Sequence, residues 1–429
     1  MKQGRTSRRS FVKHTVAAAS GIAGSSLALD AALAQVPTSV ADLPEPPRSS
    51  HPSLNRRTLG WLRFLWDKAT TADDWSSSGV PHPWWDRYTA PVVLSYGRFD
   101  LSYSAYGLLL MADQTPAWRE VYSRIADGLV SRYPTYWGAV DWLTQIGDDP
   151  KRANYPPTVF IPQGLRGNYN RIGWTANGVE PWGLQRDPIG ADGYLFFRGW
   201  FNLLLSIYRY VSGDDKWTRP FKVTGYGDEE FEWDHHRIAE RLASQYRQRP
   251  EGPHCENTKI WYFCNSAAAL GLYLYDKVYG RQTHTAAQNF LDYARTNYMG
   301  GSSDGKLEWI TGYYDPLANV KTNGGAIGGL ATALVLLPQH RDMAAVIYDA
   351  AANASGWRTS GTPARASLEG LLLARELGDD MTAMRLSAAA EQEYEPRFFG
   401  ERNEKFGWWF RLNEGFPRGQ RSAMMMISE

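Results

Sequence analysis

The sequence predicts an all-α protein, an (α/α)6 barrel in which about six helical hairpins close into a ring. Three observations predict it. One unit recurs five times between residues 95 and 394: an apolar helix with few charges, a short polar turn, and a more amphipathic helix running back. The turns are rich in Gly, Asp, Gln or Pro, which stop one helix and cap the next. The segments between hairpins, such as 144–192 and 299–322, are long, irregular and rich in Gly, Pro, Asn and Trp. They are expected at the end of the ring opposite the tight turns, where loops of that length usually carry function.

In chain order, a first helix is expected in TLGWLRFLWDK, ahead of the hairpins. The hairpins are SAYGLLLMADQTPAWREVYSRIADGLV, NLLLSIYRYVSGDDKWTRPF, AAALGLYLYDKVYGRQTHTAAQNFLDYA, GGLATALVLLPQHRDMAAVIYDAAA and SLEGLLLARELGDDMTAMRLSAAAE. In each pair the apolar member is the inner helix and the amphipathic member the outer one. That many hairpins exceed what a simple bundle uses, and their uneven spacing argues against a regular solenoid.

Ahead of the barrel, the stretch TSRRSFVKHTVAAASGIAGSSLALDAALAQ has a basic start with Arg8 and Arg9, a weakly apolar run, and Ala32-Leu33-Ala34 before Gln35. It has the form of a twin-arginine signal peptide with a small-residue cleavage site. Residues 1–34 are expected to be this signal, 35–55 a Pro/Ser-rich arm or linker, and 56–429 a single barrel domain. A periplasmic or secreted protein that folds before export is the consequence. No later segment is apolar enough to span a bilayer, so no membrane span is expected after signal removal.

The 46 basic and 45 acidic residues leave a formal net charge of +1. That balance gives no electrostatic reason to expect nucleic acid or an anionic membrane as partner. A small molecule is the expected partner. Aromatic residues make up 14% of the chain, with 18 Trp and 24 Tyr; most will be core, but such rings also offer flat faces to sugars and cations.

Cys255 and Cys264 lie in GPHCENTKIWYFCNSAAALGLYLYDKVYGR, the first in a loop and the second in the first turn of an inner helix. They are the chain's two cysteines. An even cysteine count in an exported protein suggests a structural disulfide. A zinc site is less favoured, because nine residues separate the two and only His254 stands beside them. The remaining reading is a pair of working thiols at the mouth of an apolar cavity, where a helix N-terminus favours the thiolate.

The string CENTKIWYFCNS resembles the active-site segment of the linalool dehydratase-isomerase family. The likeness continues in order through AYGL at Ala105 to Leu108, DPI at Asp187 to Ile189, Arg198-Gly199 with Asn202-Leu203, the helix end LYLYDKVYG, and LLLAREL at Leu371 to Leu377. The resemblance implies an (α/α)6 barrel, a ring-shaped homo-oligomer, and cofactor-independent dehydration, hydration or isomerisation of a terpenoid or other small apolar alcohol or alkene.

By that resemblance Cys255 and Cys264 match the two active-site cysteines, and Asp67 matches an acidic residue of the first inner helix. Trp200 stands where the family has a catalytic His, and Phe99 where it has a pocket Tyr. Phe196, Trp200, Phe99 and Glu256 are expected to line the substrate pocket. Dehydration needs an acid for the departing hydroxyl, support for an allylic cation or thioether, and a base for a carbon-bound proton. Asp67 is the expected acid, with Glu256 second, and the cysteines are base and nucleophile. For Trp200 and Phe99 ordinary core packing is the plain alternative; for Asp67 it is a helix-face salt bridge.

Two other function classes compete. Asp187, Asp192, Glu308 and Asp315 lie in or beside the long loops; in a six-hairpin glycoside hydrolase or polysaccharide lyase such carboxylates would act on glycosidic bonds, with Trp and Tyr stacking the sugars. The cysteines would then form a structural disulfide. A non-catalytic terpenoid or lipid-binding protein would keep the pocket and lose the acid.

Overall fold

The computed structural model describes residues 52–71, 97–134, 179–180, 183–184, 186–224, 229–255, 259–303, 306–316, 319–359, 364–412, 415–417 and 419–429. The expected signal peptide and most of the arm lie outside them. The described chain is mostly helical, with strands confined to small sheets. Among the described residues no helix is long and apolar enough to cross a membrane.

The α-helices are α1 (Arg56–Thr70), α2 (Gly97–Gln114), α3 (Arg119–Arg132), α4 (Leu195–Ser212), α5 (His235–Gln248), α6 (Tyr262–Tyr279), α7 (Thr285–Asn297), α8 (Leu330–Leu336), α9 (Arg341–Ala354), α10 (Leu368–Leu377), α11 (Asp380–Glu393) and α12 (Gly419–Ser428). The even-numbered helices pack side by side in sequence order, α2 on α4, α4 on α6, α6 on α8, α8 on α10, α10 on α12, and α12 returns to α2. The succession is closed. The odd-numbered helices lie outside it: α3 packs on α2 and α4, α5 and α7 on α6, α9 on α8 and α10, and α11 on α10.

Composition explains the two layers. In α4 every residue from Leu195 to Tyr208 is buried, as expected of a helix apolar on all sides. In α5 burial follows one stripe, Ile238, Ala239, Leu242, Ala243 and Tyr246. Three inner helices end on a left-handed glycine, Gly213, Gly280 and Gly378, with φ of 72°, 64° and 85°. A side chain there would be strained, so these glycines fix where the inner helix stops. The returning helices begin on side-chain caps: Asp234 accepts from the Arg237 amide at 2.8 Å and Asp379 from the Thr382 amide at 3.2 Å. The inner helices α4 and α6 approach closely, and a Cβ on Gly199 would come within 2.7 Å of the Ala268 Cβ.

Four features depart from the sequence reading. The hairpin begun by α4 does not turn straight back: an antiparallel ribbon, β3 (Phe221–Thr224) and β4 (Glu230–Trp233), intervenes before α5. The stretch 299–322, expected to be irregular, holds β6 (Met299–Gly301), β7 (Leu307–Asp315) and the start of β8 (Val320–Asn323). The C-terminal helix α12 was not anticipated, and it closes the inner succession. The first helix is an outer one, since α1 packs chiefly on α3 and on β10 (Lys405–Trp408). Of 144–192, little beyond 186–192 is described; short strands β1 (Val179–Glu180) and β2 (Gly183–Leu184) pair within it.

Candidate active site

The cysteine segment is held at both ends. Strand β5 (Ile260–Trp261) pairs with β7, Ile260 opposite Tyr314 and Trp261 opposite Tyr313, and α6 begins at the next residue. Upstream, the Cys255 amide donates to the Lys259 carbonyl at 2.7 Å, and the Leu195 amide at the start of α4 donates to the His254 carbonyl at 3.1 Å. Asn265, which follows Cys264, donates its side-chain amide to the carbonyls of Pro253 at 3.2 Å and Trp261 at 3.0 Å. Its own carbonyl accepts from the Tyr246 hydroxyl at 2.6 Å. Asn265 thus ties the loop carrying Cys255 to the helix carrying Cys264.

No disulfide joins the cysteines; each is a buried thiol. Cys255 is fully buried, whereas Cys264 keeps 8% of its surface. Both lie within electrostatic reach of the Tyr246 phenol, whose pKa burial raises first and the two sulfurs raise further. Burial also pulls His254, next to Cys255, down to a pKa of about 4, helped by Arg249. The imidazole is therefore neutral near pH 7.

An aromatic cluster adjoins Cys264. Trp200 meets Phe99 edge-on at 5.2 Å, Phe263 at 5.4 Å and Tyr103 at 5.5 Å, and Phe99 meets Phe263 at 6.1 Å. These rings come from the N-terminal halves of α2, α4 and α6, so three inner helices start at one end of the molecule. The Trp200 indole N–H is buried without a hydrogen-bond partner among the described residues. Phe196, one turn before Trp200, is fully buried and packs edge-on against Tyr194 at 4.5 Å.

The expected acid is elsewhere. Asp67 lies on α1, off the buried stripe of Trp61, Leu62, Phe64, Leu65 and Lys68, and its carboxylate pairs with Lys405 at 2.5 Å. It lines a surface cavity of about 430 Å³ with Trp66, Trp118 and Val121. The structure does not bring it to the cysteines, and the salt-bridge alternative describes it. Glu256 lies outside the described residues.

Of the loop carboxylates, Asp187 accepts from the Trp233 indole at 3.0 Å and from the Ile189 amide at 2.9 Å, and Asp192 binds Arg249 at 2.6 Å and Gln245 at 2.9 Å. Asp315 stands 3.8 Å from Lys259 within the interior, and Glu308 is exposed. Three of the four are engaged in holding loops.

Sequence reasoning missed three groups. Asp100, beside Phe99, is fully buried and receives Lys68 at 2.7 and 3.0 Å. Tyr103, one turn further along α2, is within reach of both Cys264 and Glu369, and burial raises its phenol well above its usual pKa. Glu369, in the first turn of α10, is half-buried. Burial raises its pKa, against opposing effects of its own backbone N–H and Arg421. A signal existed: Glu369 is an acid in an apolar inner helix, SLEGLLLAREL.

Comparison with known proteins relates this chain to the family its cysteine segment resembles. The model of the linalool dehydratase/isomerase family matches residues 175–370, a span that contains both cysteines, Phe196, Trp200 and Glu369. Among solved structures the chain is similar to the GH76A alpha-1,6-mannanase from Salegentibacter sp. HEL1_6, at 8% identity, covering 86% of this chain and 97% of that one with a TM-score of 0.44. It is similar also to an inactive variant of that mannanase in complex with alpha-1,6-mannotetrose, at 8% identity, the same coverages and a TM-score of 0.43.

Proposed function

Proceeding from the match of residues 175–370 to the linalool dehydratase/isomerase family, we propose that this protein is a hydro-lyase or isomerase of small tertiary or allylic alkenols. It works without a cofactor, as the resemblance implies. The observation that supports the reading is that neither cysteine is bridged and that Cys264, which keeps residual exposure, directly follows Phe263 of the cluster with Phe99 and Trp200. Those rings can receive an apolar chain, and their faces favour a developing allylic cation by roughly 1–2 kcal/mol each when desolvated. The thiols serve as base and nucleophile. Trp200 cannot relay a proton near neutral pH, since an indole N–H only donates. We read the closed succession of even-numbered helices as an (α/α)6 barrel, and the ring-shaped homo-oligomer belongs to the same proposal.

Purified, reduced protein should convert linalool, geraniol or a shorter tertiary alkenol to an alkene or an isomeric alcohol, detected by gas chromatography, and should leave oligosaccharides intact. Alkylation should abolish the conversion. Release of sugars from an oligosaccharide with no change in any alkenol would replace this reading with carbohydrate cleavage.

Export through the twin-arginine pathway to the periplasm is part of the proposal, resting on Arg8 and Arg9. The double substitution Arg8→Lys and Arg9→Lys should retain the protein in the cytoplasmic fraction. Undiminished periplasmic recovery would remove this part of the proposal.

A further inference from the structure

We propose that Asn265 is a positioning residue for the reaction: its side-chain amide holds the loop that carries Cys255 and the helix that carries Cys264 in one frame, and so sets the placement of one sulfur relative to the other. The role rests on the dehydratase reading above.

Four anchors pin the stretch that leads to Cys255, one at each residue. The Gly252 amide donates to the Arg249 carbonyl at 3.0 Å, the Pro253 carbonyl accepts from the Asn265 side chain at 3.2 Å, the His254 carbonyl accepts from the Leu195 amide at 3.1 Å, and the Cys255 amide donates to the Lys259 carbonyl at 2.7 Å. Of the four, the bond from Asn265 is the one that reaches α6. The same amide nitrogen donates to the Trp261 carbonyl at 3.0 Å, at the start of that helix. Along the chain nine positions separate the two cysteines. Through Asn265 they are joined by one step on the helix side, two on the loop side and a single hydrogen bond.

The loop is shaped to receive this side chain. Asn265 is fully buried, and a Cβ on Gly252 would fall 2.8 Å from its Oδ1. Gly252 has a φ of 108°, a conformation that favours glycine, and the absence of a side chain there lets the backbone pass close over the amide. Pro253 follows, with its φ fixed by the ring, so the carbonyl that Asn265 holds belongs to a stiff stretch of backbone.

The chemistry of the group fits the task. Two carbonyls require donors, and one amide nitrogen supplies both of its N–H groups to them. A carboxylate would face the same carbonyls with acceptors, and an aliphatic chain would fill the volume and tie nothing. The amide oxygen is buried with no hydrogen-bond partner among the described residues, and an unmet buried acceptor costs stability. What the side chain brings is therefore a fixed relation between two segments. A reaction that uses a group from each is sensitive to that relation, since a misplacement of about 1 Å can cost on the order of a hundredfold in rate.

The test compares reduced wild type with Asn265→Leu and Asn265→Ser. Leucine keeps the volume and removes both bonds, whereas serine can still bond back to the Trp261 carbonyl one turn earlier but is too short to reach Pro253. Leu386→Ala is the control: it opens a cavity at a buried position of α11, an outer helix that packs on α10, and destabilises the protein from there. The first arm needs no substrate. Iodoacetamide labelling followed by mass mapping gives the ratio of the Cys255 rate to the Cys264 rate, and local opening is what exposes a buried thiol. Both Asn265 variants should raise that ratio about fivefold or more, while Leu386→Ala should stay within about twofold of wild type. The second arm is turnover of an alkenol that wild type accepts: both Asn265 variants should lower kcat about tenfold or more and leave KM within about twofold, with kcat unchanged in Leu386→Ala.

An unchanged labelling ratio in both Asn265 variants would overturn the proposal, and so would wild-type kcat in both. An equal rise of the ratio in Leu386→Ala would overturn it as well, because it would trace the exposure to lost stability. If the ratio shifts as expected and wild type converts no alkenol, the dehydratase reading has failed and takes the catalytic purpose of Asn265 with it. An unchanged ratio in an active enzyme fails this inference alone.

Discussion

Cys264→Ala is expected to lower turnover of the accepted alkenol by about a hundredfold or more, the scale of removing a positioned base or nucleophile, with the fold retained. Cys255→Ala is expected to act similarly on rate. The two differ in surroundings: Cys264 keeps 8% of its surface, whereas Cys255 is fully buried between the Lys259 carbonyl, which its amide reaches, and the Tyr246 phenol. Iodoacetamide should therefore label Cys264 well before Cys255 in the folded protein, and the loss of activity should follow the first label. Kinetics and melting curves measured side by side separate chemistry from folding. Wild-type turnover in both alanine variants, or a quantitative Cys255–Cys264 bridge in the active enzyme, would move the reaction away from the thiols.

Lys68→Met is expected to cost about 3–5 kcal/mol of stability, the usual consequence of leaving one partner of a buried ion pair behind. Both side chains of the Lys68–Asp100 pair are fully sequestered. The pair joins α1 to α2, and α12 begins against it, since a Cβ on Gly419 would fall 2.0 Å from an Asp100 oxygen. Loss of the ammonium thus leaves a carboxylate where three elements meet, in the helix that presents Phe99 and Tyr103. The double variant Lys68→Met with Asp100→Leu should recover much of the loss, because an apolar pair needs no compensating charge. Denaturant unfolding of wild type and the variants measures both. A single variant within about 1 kcal/mol of wild type would show the charge to be compensated without Lys68.

The contrast between Asp67, Lys68 and Asp100 shows how much of the site was legible. The periodic burial of Trp61, Leu62, Phe64, Leu65 and Lys68 is written in the sequence of α1, and it puts Lys68 on the packed face and Asp67 off it. Resemblance drew attention to the acid, while periodicity pointed to its neighbour. In α10 the same reading singles out Glu369, an acid in the first turn of an otherwise apolar start to the helix.

The sequence by itself determined the helical hairpins, the glycines that end the inner helices, the loop position of Cys255 and the first-turn position of Cys264. These follow from local chemistry: low charge density in one helix of each pair, left-handed φ at the stops, and side-chain caps at the starts. Only the tertiary structure decided which helices touch, that the C-terminal α12 completes their succession, that β5 and Asn265 fix the cysteine segment, and which interior carboxyl is paired and which is not. The physical reason is that a hydrogen bond or an ion pair of this kind joins residues that lie on different elements, from 12 positions apart for Asn265 and Pro253 to 338 for Asp67 and Lys405. Asp67 meets Lys405 and Tyr103 packs on Trp200, and no local pattern encodes either encounter.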